Sequence, residues 1–331
     1  MSSFTTNVPV TLGLMTWGRE GVEMARVHDL ATCEEMLDIL QKHGHNEVDT
    51  ALVYGDGSSE EYLGQTRWKE RGIVVDTKLF PGQYAGRDVK FTLESIRKQI
   101  EVQLAAVKTD QFDLWYLHAP DASTPLEVTA EAVNTLYKEG KFKRFGISNY
   151  SAAQTEQLVQ IAEKNGWIKP TAYQGIYNAL HRTVEKDLFP ILRKHNISFY
   201  EFNPLGGGFF TGAVQRDSNV EKGSRFDPET AQGKNYRSRY WREEFFQALD
   251  KLQPVADKHS LTLAEIALRW IQHHSLLQRA HGDNVLIGAS SVKHLEANLA
   301  DMEKGPLPQD VLDALDQGWE LVKDVASPYH R

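Results

Sequence analysis

A small set of polar residues in this sequence has the types and spacing needed to put a proton onto a carbonyl oxygen. Asp49 precedes Tyr54 by five residues, and Lys78 and His118 each follow an apolar run. A tyrosine hydroxyl has an ordinary pKa of about 10, poorly matched to proton donation near neutrality. We expect Lys78 to lower that pKa and Asp49 to hold and orient the lysine. His118 would hydrogen-bond a substrate oxygen. The set supplies no hydride, so carbonyl reduction would require a cofactor.

The apolar runs that precede these residues predict β-strands. Several are continuous rather than alternating, which is typical of parallel strands buried on both faces. The predicted strands are residues 10–14, 47–49, 73–77, 112–117, 144–147, 171–174, 198–202 and 285–287. Amphipathic stretches between them predict helices at residues 32–43, 59–70, 92–107, 126–138, 152–165 and 185–194.

This alternation predicts the α/β class, with a single (β/α)8 TIM barrel domain over residues 1–331. A doubly wound open sheet is the rival fold, but it would normally carry a GxGxxG turn after its first strand. Here that strand leads into Met15-Thr16-Trp17-Gly18-Arg19. The polar segment 215–240 has no clear period and contains Gly223, Pro228 and Gly233, so we expect a long functional loop over the C-terminal face of the barrel.

Polar residues recur where the predicted strands end. In a barrel these ends converge on one face, where catalysis takes place. Taken singly, each residue could cap a helix or end a strand in solvent. Their recurrence at successive strands favours one shared site. The residues are Asp49, Lys78, His118, Ser148, Asn149, Gln174, Asn203, Ser290 and Ser291.

Composition narrows the choice of partners and compartment. The chain has 331 residues and a net charge of −8, which disfavours nucleic acid as a partner because such binding needs clustered Lys and Arg. No apolar run is long enough to span a bilayer, and the first residues lack signal-peptide features, so we expect a cytoplasmic protein without membrane contact. Cys33 is the one cysteine, expected to be a small buried hydrophobe.

Several motifs, in order along nearly the whole chain, resemble those of the aldo-keto reductases. The resemblance is closest to the aflatoxin-aldehyde and succinic-semialdehyde reductase group. The motifs are Asp49-Thr50-Ala51-Leu52-Val53-Tyr54-Gly55, Ser59-Glu60, Thr77-Lys78, Tyr116-Leu117-His118, Gly146-Ile147-Ser148-Asn149-Tyr150, Tyr173-Gln174-Gly175-Ile176-Tyr177-Asn178, Phe202-Asn203-Pro204-Leu205, Tyr236-Arg237-Ser238-Arg239-Tyr240-Trp241 and Pro328-Tyr329-His330-Arg331.

The resemblance implies NADPH-dependent reduction of aldehydes, with Tyr54 as general acid and Lys78, Asp49 and His118 as its partners. It implies that Ser148, Asn149 and Gln174 hold the nicotinamide carboxamide and that Phe202 lies against the ring. The loop with Asn203, Pro204, Leu205, Gly207, Gly208 and Gly212 would approach the pyrophosphate through backbone amides, although turn flexibility alone could explain its glycines.

The last strand leads into a helix that is expected to bind the adenosine 2′-phosphate through Ser290, Ser291, His294 and Asn298. Many superfamily members have a lysine and an arginine where this chain has Gly288 and His294, which weakens the electrostatic preference for NADPH over NADH. Arg225, which matches a phosphate-binding arginine of the closest group, is expected to compensate.

The same resemblance places Met15, Tyr236, Arg239 and Arg331 in the substrate pocket, where a guanidinium would suit a carboxylate-bearing or dialdehyde substrate. Surface arginines making weak ion pairs are the alternative. Homodimerisation is implied by resemblance alone.

Two other functions compete with reduction. One is a cofactor-binding regulatory barrel with little turnover, like the channel subunits of this fold. The other is a metal-dependent hydrolase, but His273, His274 and His281 have no carboxylate at ligand spacing, so no metal is expected.

Overall fold

Eight parallel strands close into a barrel in the structure, a computed structural model that describes residues 6–217, 220 and 222–330. The strands of the chain are β1 (Val10–Gly13), β2 (Glu47–Asp49), β3 (Val74–Leu79), β4 (Gly82–Tyr84), β5 (Arg87–Val89), β6 (Phe112–Leu117), β7 (Phe142–Ser148), β8 (Ala172–Ile176), β9 (Ser198–Phe202) and β10 (Asn284–Gly288). Around the barrel their order is β1, β10, β9, β8, β7, β6, β3 and β2, while β4 and β5 form a separate antiparallel hairpin.

Helices connect the barrel strands and pack around them. They are α1 (Leu30–Lys42), α2 (Ser58–Leu63), α3 (Leu93–Val107), α4 (Leu126–Lys138), α5 (Ala152–Asn165), α6 (Leu188–Lys194), α7 (Ala231–Tyr240), α8 (Glu243–Lys258), α9 (Leu263–His273), α10 (Val292–Met302) and α11 (Gln309–Val322). Side-chain caps fix several starts: Thr92 caps α3, and Ser151 with Gln154 forms a capping box at α5. The predicted (β/α)8 barrel is confirmed.

Three predicted elements need correction. The helix predicted at 59–70 ends at Leu63, and Gly64, which follows it, packs so closely that an added Cβ would lie 2.0 Å from the carbonyl oxygen of Ala106. The stretch 185–194 divides into a 3-10 turn (Thr183–Glu185) and α6. The segment 215–240 is only partly a loop, since Thr230 caps α7 within it.

The barrel interior is unusually polar between its two ends. Asp76 and Tyr116 are fully buried there, and Arg144 contacts both Asp113 and the hydroxyl of Tyr200. Interiors of this fold are more often filled by branched aliphatic side chains. A small cluster with Leu114, Ala172 and Leu286 accompanies these polar groups, and the larger apolar core includes Cys33 at zero exposure, as expected.

Within residues 6–217, 220 and 222–330, no helix combines the length and the apolar character needed to cross a membrane.

Candidate active site

A cavity of about 1310 Å³ opens at the carboxyl ends of the barrel strands. It brings together most of the site residues predicted from the sequence, although they come from distant parts of the chain. Those that line it are Met15, Asp49, Tyr54, His118, Asn149, Gln174, Phe202, Asn203, Pro204, Leu205, Gly207, Gly208, Arg225, Tyr236, Arg239, Ser290, His294 and Asn298.

A few predicted residues do not line this cavity. Lys78 lies fully buried behind Asp49, and Ser148 lies behind Asn149, whose side-chain amide donates to its hydroxyl at 3.0 Å. Ser291 caps α10 by accepting from the amide of His294 at 3.2 Å, and Gly212 ends a 3-10 turn. Arg331 lies outside the described residues.

Tyr54 is positioned by a tight turn after β2. Its amide donates to the carbonyl oxygen of Ala51 at 3.0 Å, and the following residues Gly55 and Asp56 both have left-handed backbone angles, with φ of 53° and 54°. The Ser58 hydroxyl closes the turn by donating to the carbonyl oxygen of Gly55 at 2.5 Å. A side chain at position 55 would clash there, since its Cβ would lie 2.6 Å from the Ser58 oxygen. The turn directs the tyrosine into the cavity.

A buried ion pair lies beneath Tyr54. The Lys78 ammonium donates to one Asp49 oxygen and, at 2.8 Å, to the carbonyl oxygen of Thr50. The other Asp49 oxygen accepts from the Gln174 amide at 2.8 Å. Because both charged groups are almost completely enclosed, these hydrogen bonds are what keeps the pair in place. The expectation that Asp49 holds the lysine agrees with this geometry.

Burial shifts the pKa values of this cluster. Loss of water raises the pKa of Asp49 and lowers the pKa of Lys78, while their mutual attraction opposes both shifts. The pKa of Tyr54 is raised well above its ordinary value, first by burial and then by the Asp49 carboxylate. The expectation that Lys78 lowers the pKa of Tyr54 stays a prediction, because burial sets the net direction of the shift in this structure. Tyr54 keeps its proton at neutral pH.

His118 completes the wall next to Tyr54. The two rings meet edge to face with centroids 5.8 Å apart, and Phe80 contacts the imidazole in the same way at 5.5 Å. The His118 carbonyl oxygen accepts from the Asn149 amide at 2.7 Å. A carbonyl group entering this corner would meet a hydroxyl and an imidazole, so the geometry can orient and protonate an oxygen atom.

Two asparagines on the cavity wall have left-handed backbone angles. Asn149 follows β7 with φ of 62°, and Asn203 follows β9 with φ of 69°. Such angles are uncommon for residues with a side chain and often occur at functional sites. The side-chain amide nitrogen of the half-buried Asn203 is itself buried without a hydrogen-bond partner, while the side-chain oxygen accepts from the Tyr236 hydroxyl at 3.1 Å.

The part of the cavity beyond Asn203 is lined by a glycine-rich turn that includes Gly207 and Gly208. Gly208 has φ of 104° and open space where a Cβ would lie, so a ligand could approach its backbone. The Gly208 amide itself donates to the carbonyl oxygen of Leu205 at 2.9 Å. Arg225 lies close to the end of β10, where a Cβ on Gly288 would be 3.4 Å from its Nη2 atom. The guanidinium thus occupies the space that a larger residue at Gly288 would need.

The expected substrate residues Met15, Tyr236 and Arg239 line the same cavity. Arg239 and Arg225 approach the Tyr236 ring, with Cζ atoms 6.0 Å and 5.9 Å from its centroid. Met15 contacts the side-chain amide of Gln232, on the same helix as Tyr236 and Arg239, through its sulfur at 3.8 Å. Two cationic side chains therefore border the same aromatic ring near Tyr54.

Sequence reasoning missed several lining residues. Phe80 could have been found, because it follows Lys78 at the end of β3. Glu23 and Arg26 lie in the loop after β1, which carries no pattern that marks it. They join that loop to the long loop across the cavity: Glu23 accepts from the amide of Gln232 at 2.7 Å, and Arg26 donates to the carbonyl oxygen of Gly223.

In the part of the chain that the structure describes, no three His, Cys, Asp or Glu side chains are grouped so that they could hold a metal ion.

Comparisons with known proteins agree with this architecture. The model of the Aldo/keto reductase family matches residues 9–320. An aldo-keto reductase of Pseudocercospora fijiensis is 49% identical over 295 residues, covering 89% of this chain and 99% of the relative. The human aflatoxin B1 aldehyde reductase member 2 is 40% identical over 321 residues, covering 94% and 88%. Among solved structures, a glycerol dehydrogenase of Gluconobacter oxydans superposes with a TM-score of 0.73 at 26% identity, covering 99% of this chain and 98% of that one.

Proposed function

The chain belongs to the Aldo/keto reductase family, and from that premise we propose that it is an NADPH-dependent aldehyde reductase in which Tyr54 delivers the proton. The observation that supports this proposal best is the placement of Tyr54 over the buried Lys78–Asp49 pair at the wall of a large cavity. A buried Lys–Asp pair alone would be a structural salt bridge. Here Tyr54 adds a proton donor that lines the cavity.

Each of the four residues has one task in this mechanism. Tyr54 donates its hydroxyl proton to the carbonyl oxygen of the aldehyde, which becomes the alcohol oxygen. Lys78 lies beneath the ring and stabilises the negative charge that develops on the phenol as the proton leaves. Asp49 holds Lys78 in place. His118 donates a hydrogen bond that orients the carbonyl group, which gives the reacting atoms a fixed geometry.

The cofactor-binding residues would come from several strand ends. Asn149 and Gln174 would hold the carboxamide, Phe202 would lie against the ring, and the Asn203 amide nitrogen, which is buried without a partner, would find an acceptor. Ser148 would act by holding Asn149. NADPH, when bound, supplies the hydride that the carbonyl carbon receives.

The preference for NADPH rests on Arg225. Its guanidinium lies beside Gly288, next to the strand end from which α10 begins. Ser290 and His294 lie nearby, with 3.1 Å between the serine oxygen and the imidazole Nδ1 atom. A guanidinium binds phosphate through paired charged hydrogen bonds, so Arg225 would compensate for the missing lysine at position 288.

The preferred substrate would be an aldehyde that also carries a carboxylate. Arg239 borders the cavity beside Tyr236 and is the described cation in the best position to meet such a group. Arg331 was assigned to the same pocket from the sequence and would join it there. The human relative is named for an aldehyde substrate, which is the class of substrate proposed for this protein.

An aldehyde panel tests this function directly. The purified protein is incubated with succinic semialdehyde, 2-carboxybenzaldehyde and 4-nitrobenzaldehyde, and oxidation of NADPH and NADH is followed by absorbance. We expect turnover with NADPH, faster with the acidic aldehydes. Cofactor binding without oxidation on any aldehyde would refute the proposal and favour a regulatory barrel.

A further inference from the structure

Glu60 is a fully buried carboxylate that the mechanism above does not use. It lies on α2, a short distance along the chain from the turn that holds Tyr54. One oxygen accepts from the Thr77 hydroxyl at 2.5 Å and from the Gln103 amide at 2.8 Å. The other oxygen is buried without a hydrogen-bond partner. A half-satisfied buried acid costs folding free energy, so packing alone does not account for it.

The network around Glu60 holds the backbone of Lys78. Thr77 directly precedes Lys78 on β3, and alternating strand residues point to opposite faces. The Gln103 amide donates to the carbonyl oxygen of Lys78 and to the Thr77 hydroxyl, both at 3.1 Å. Gln103 is itself fixed by Trp115, whose indole nitrogen donates to it at 3.0 Å. Glu60 therefore lies at the outer side of the strand that presents the lysine.

The charge of Glu60 also acts on Lys78. Their attraction raises the pKa of Lys78 and lowers that of Glu60. Burial is the larger effect on Glu60 and raises its pKa to about 7. Arg87 and Tyr84 of the β4–β5 hairpin are the other titratable groups that interact with it, and α3 contributes the neutral Gln103. Glu60 thus changes charge in the neutral range, and its network with Thr77 and Gln103 contacts the backbone of the lysine.

We propose that Glu60 is a positioning residue of the reaction, which acts through Lys78 by keeping its ammonium protonated beneath Tyr54 as the pH rises. Burial lowers the pKa of Lys78, so the lysine loses its proton at a lower pH than an exposed lysine does. Ionised Glu60 opposes that loss. At lower pH Glu60 is neutral and Lys78 needs no such help. The expected effect of Glu60 on kcat rests on the proposed reductase function, whereas its expected effect on the protonation of Lys78 does not.

The test compares two variants with a matched control. Glu60→Gln keeps an acceptor for Thr77 and Gln103 but removes the charge. Thr77→Val removes a donor that favours the charged form of Glu60. Glu61→Gln makes the same change at the adjacent, exposed residue, which pairs with Arg19 at 2.6 Å. For each protein, kcat for aldehyde reduction is measured between pH 6 and 10.

The alkaline limb of kcat is expected to move to lower pH by about 1–2 units in Glu60→Gln, from the loss of a unit charge near the ammonium. Thr77→Val should shift it in the same direction by less, and Glu61→Gln should not shift it. A loss of kcat by the same factor at every pH would assign Glu60 a structural role only, and so would an unmoved limb. Either result overturns the inference while leaving the reductase function intact.

A second measurement does not depend on turnover. In the apoprotein with ¹⁵N-labelled lysine, the Nζ resonance of Lys78 is assigned by its loss in Lys78→Met, and its titration midpoint is measured. We expect a lower midpoint in Glu60→Gln. An unchanged midpoint would refute the coupling. If the wild-type protein reduces no aldehyde, the proposed function fails, but this midpoint still decides whether Glu60 controls Lys78.

Discussion

The Nζ atom of Lys78 lies over the Tyr54 ring, 5.0 Å from its centroid. A cation in this position is attracted to the ring and stabilises any negative charge that the ring acquires. In the resting site the pKa of Tyr54 stays high because of burial and Asp49. The lysine therefore contributes most when the proton is leaving, which is where stabilisation accelerates a reaction.

Replacing Lys78 should affect activity and stability in separable ways. Lys78→Met is expected to lower kcat by about a hundredfold or more, since the developing phenolate loses its cation. It also leaves Asp49 buried and unpaired, which should lower the free energy of unfolding by about 3–5 kcal/mol. Chemical denaturation and steady-state kinetics measure the two effects.

The double variant Asp49→Asn/Lys78→Met is the control for this prediction. Because it removes both charges, it should recover most of the stability and none of the activity. A single variant with near-normal kcat would exclude Lys78 from the reaction. If the double variant is as unstable as the single one, the unpaired charge of Asp49 is not what destabilises Lys78→Met.

Arg225 should determine the choice of cofactor. In Arg225→Ala, KM for NADPH is expected to rise about ten- to a hundredfold, the effect of losing a charged hydrogen bond worth about 1.5–3 kcal/mol, with little change for NADH. Ser290→Ala should have a smaller effect in the same direction. The matched control is Arg216→Ala on the same long loop, whose guanidinium pairs with Glu243 and Asp250 at the surface. Equal losses with both cofactors would mean that Arg225 acts on the loop instead.

The fold and the main part of the site were predictable from the sequence because two simple patterns govern them. Continuous apolar runs marked the parallel strands, and polar residues after those runs marked the cavity wall. His118, Gln174 and Asn203 were all found in this way. The β4–β5 hairpin was missed because its strands are three residues each and polar, so they leave no apolar run.

Two features of the site depend on tertiary packing and have no sequence pattern. The direction of the Tyr54 pKa shift follows first from burial of the hydroxyl and then from the nearby Asp49 carboxylate, and both depend on the folded packing. The position of Arg225 beside Gly288 depends on how the long loop crosses the barrel, and the sequence gives only its length.

Helix α7 was missed because its polar residues are not confined to one face.

Arg239 should distinguish charged from neutral substrates. In Arg239→Ala, kcat/KM for succinic semialdehyde is expected to fall about ten- to a hundredfold, while that for 4-nitrobenzaldehyde changes little. Deletion of Arg331 should act in the same direction, and the two effects need not add if both residues hold one carboxylate.

The control for Arg239 is Arg237→Ala on the same helix. Arg237 stacks on Trp241 with its Cζ atom 3.8 Å from the ring centroid and donates to the carbonyl oxygen of Phe226 at 2.7 Å, so it is occupied elsewhere. Parallel losses for the charged and the neutral aldehyde in Arg239→Ala would indicate that the residue supports the pocket structure only.

Glu201 should make the protein less stable as the pH rises. It is fully buried on β9, neither carboxylate oxygen has a hydrogen-bond partner, and burial raises its pKa well above the ordinary value. Above a pH of about 4.3 the unfolded chain releases this proton while the folded chain retains it, so the free energy of unfolding falls by up to about 1.4 kcal/mol per pH unit.

Glu201→Met is expected to stabilise the protein, with a gain that grows between pH 5 and pH 8, as measured by denaturant unfolding. The same substitution at the exposed Glu61 serves as the control. A gain independent of pH would show that Glu201 titrates alike in both states.

The most direct measurement of the central claim is the single-turnover rate of NADPH oxidation by Tyr54→Phe at saturating aldehyde, together with the Kd for NADPH. The phenylalanine keeps the ring above Lys78 and removes only the hydroxyl, which is the proposed proton donor. The rate is expected to fall about 10²–10⁴-fold, the usual contribution of general acid catalysis, with an unchanged Kd. A rate close to that of the wild-type protein would contradict the assignment of Tyr54 as the acid.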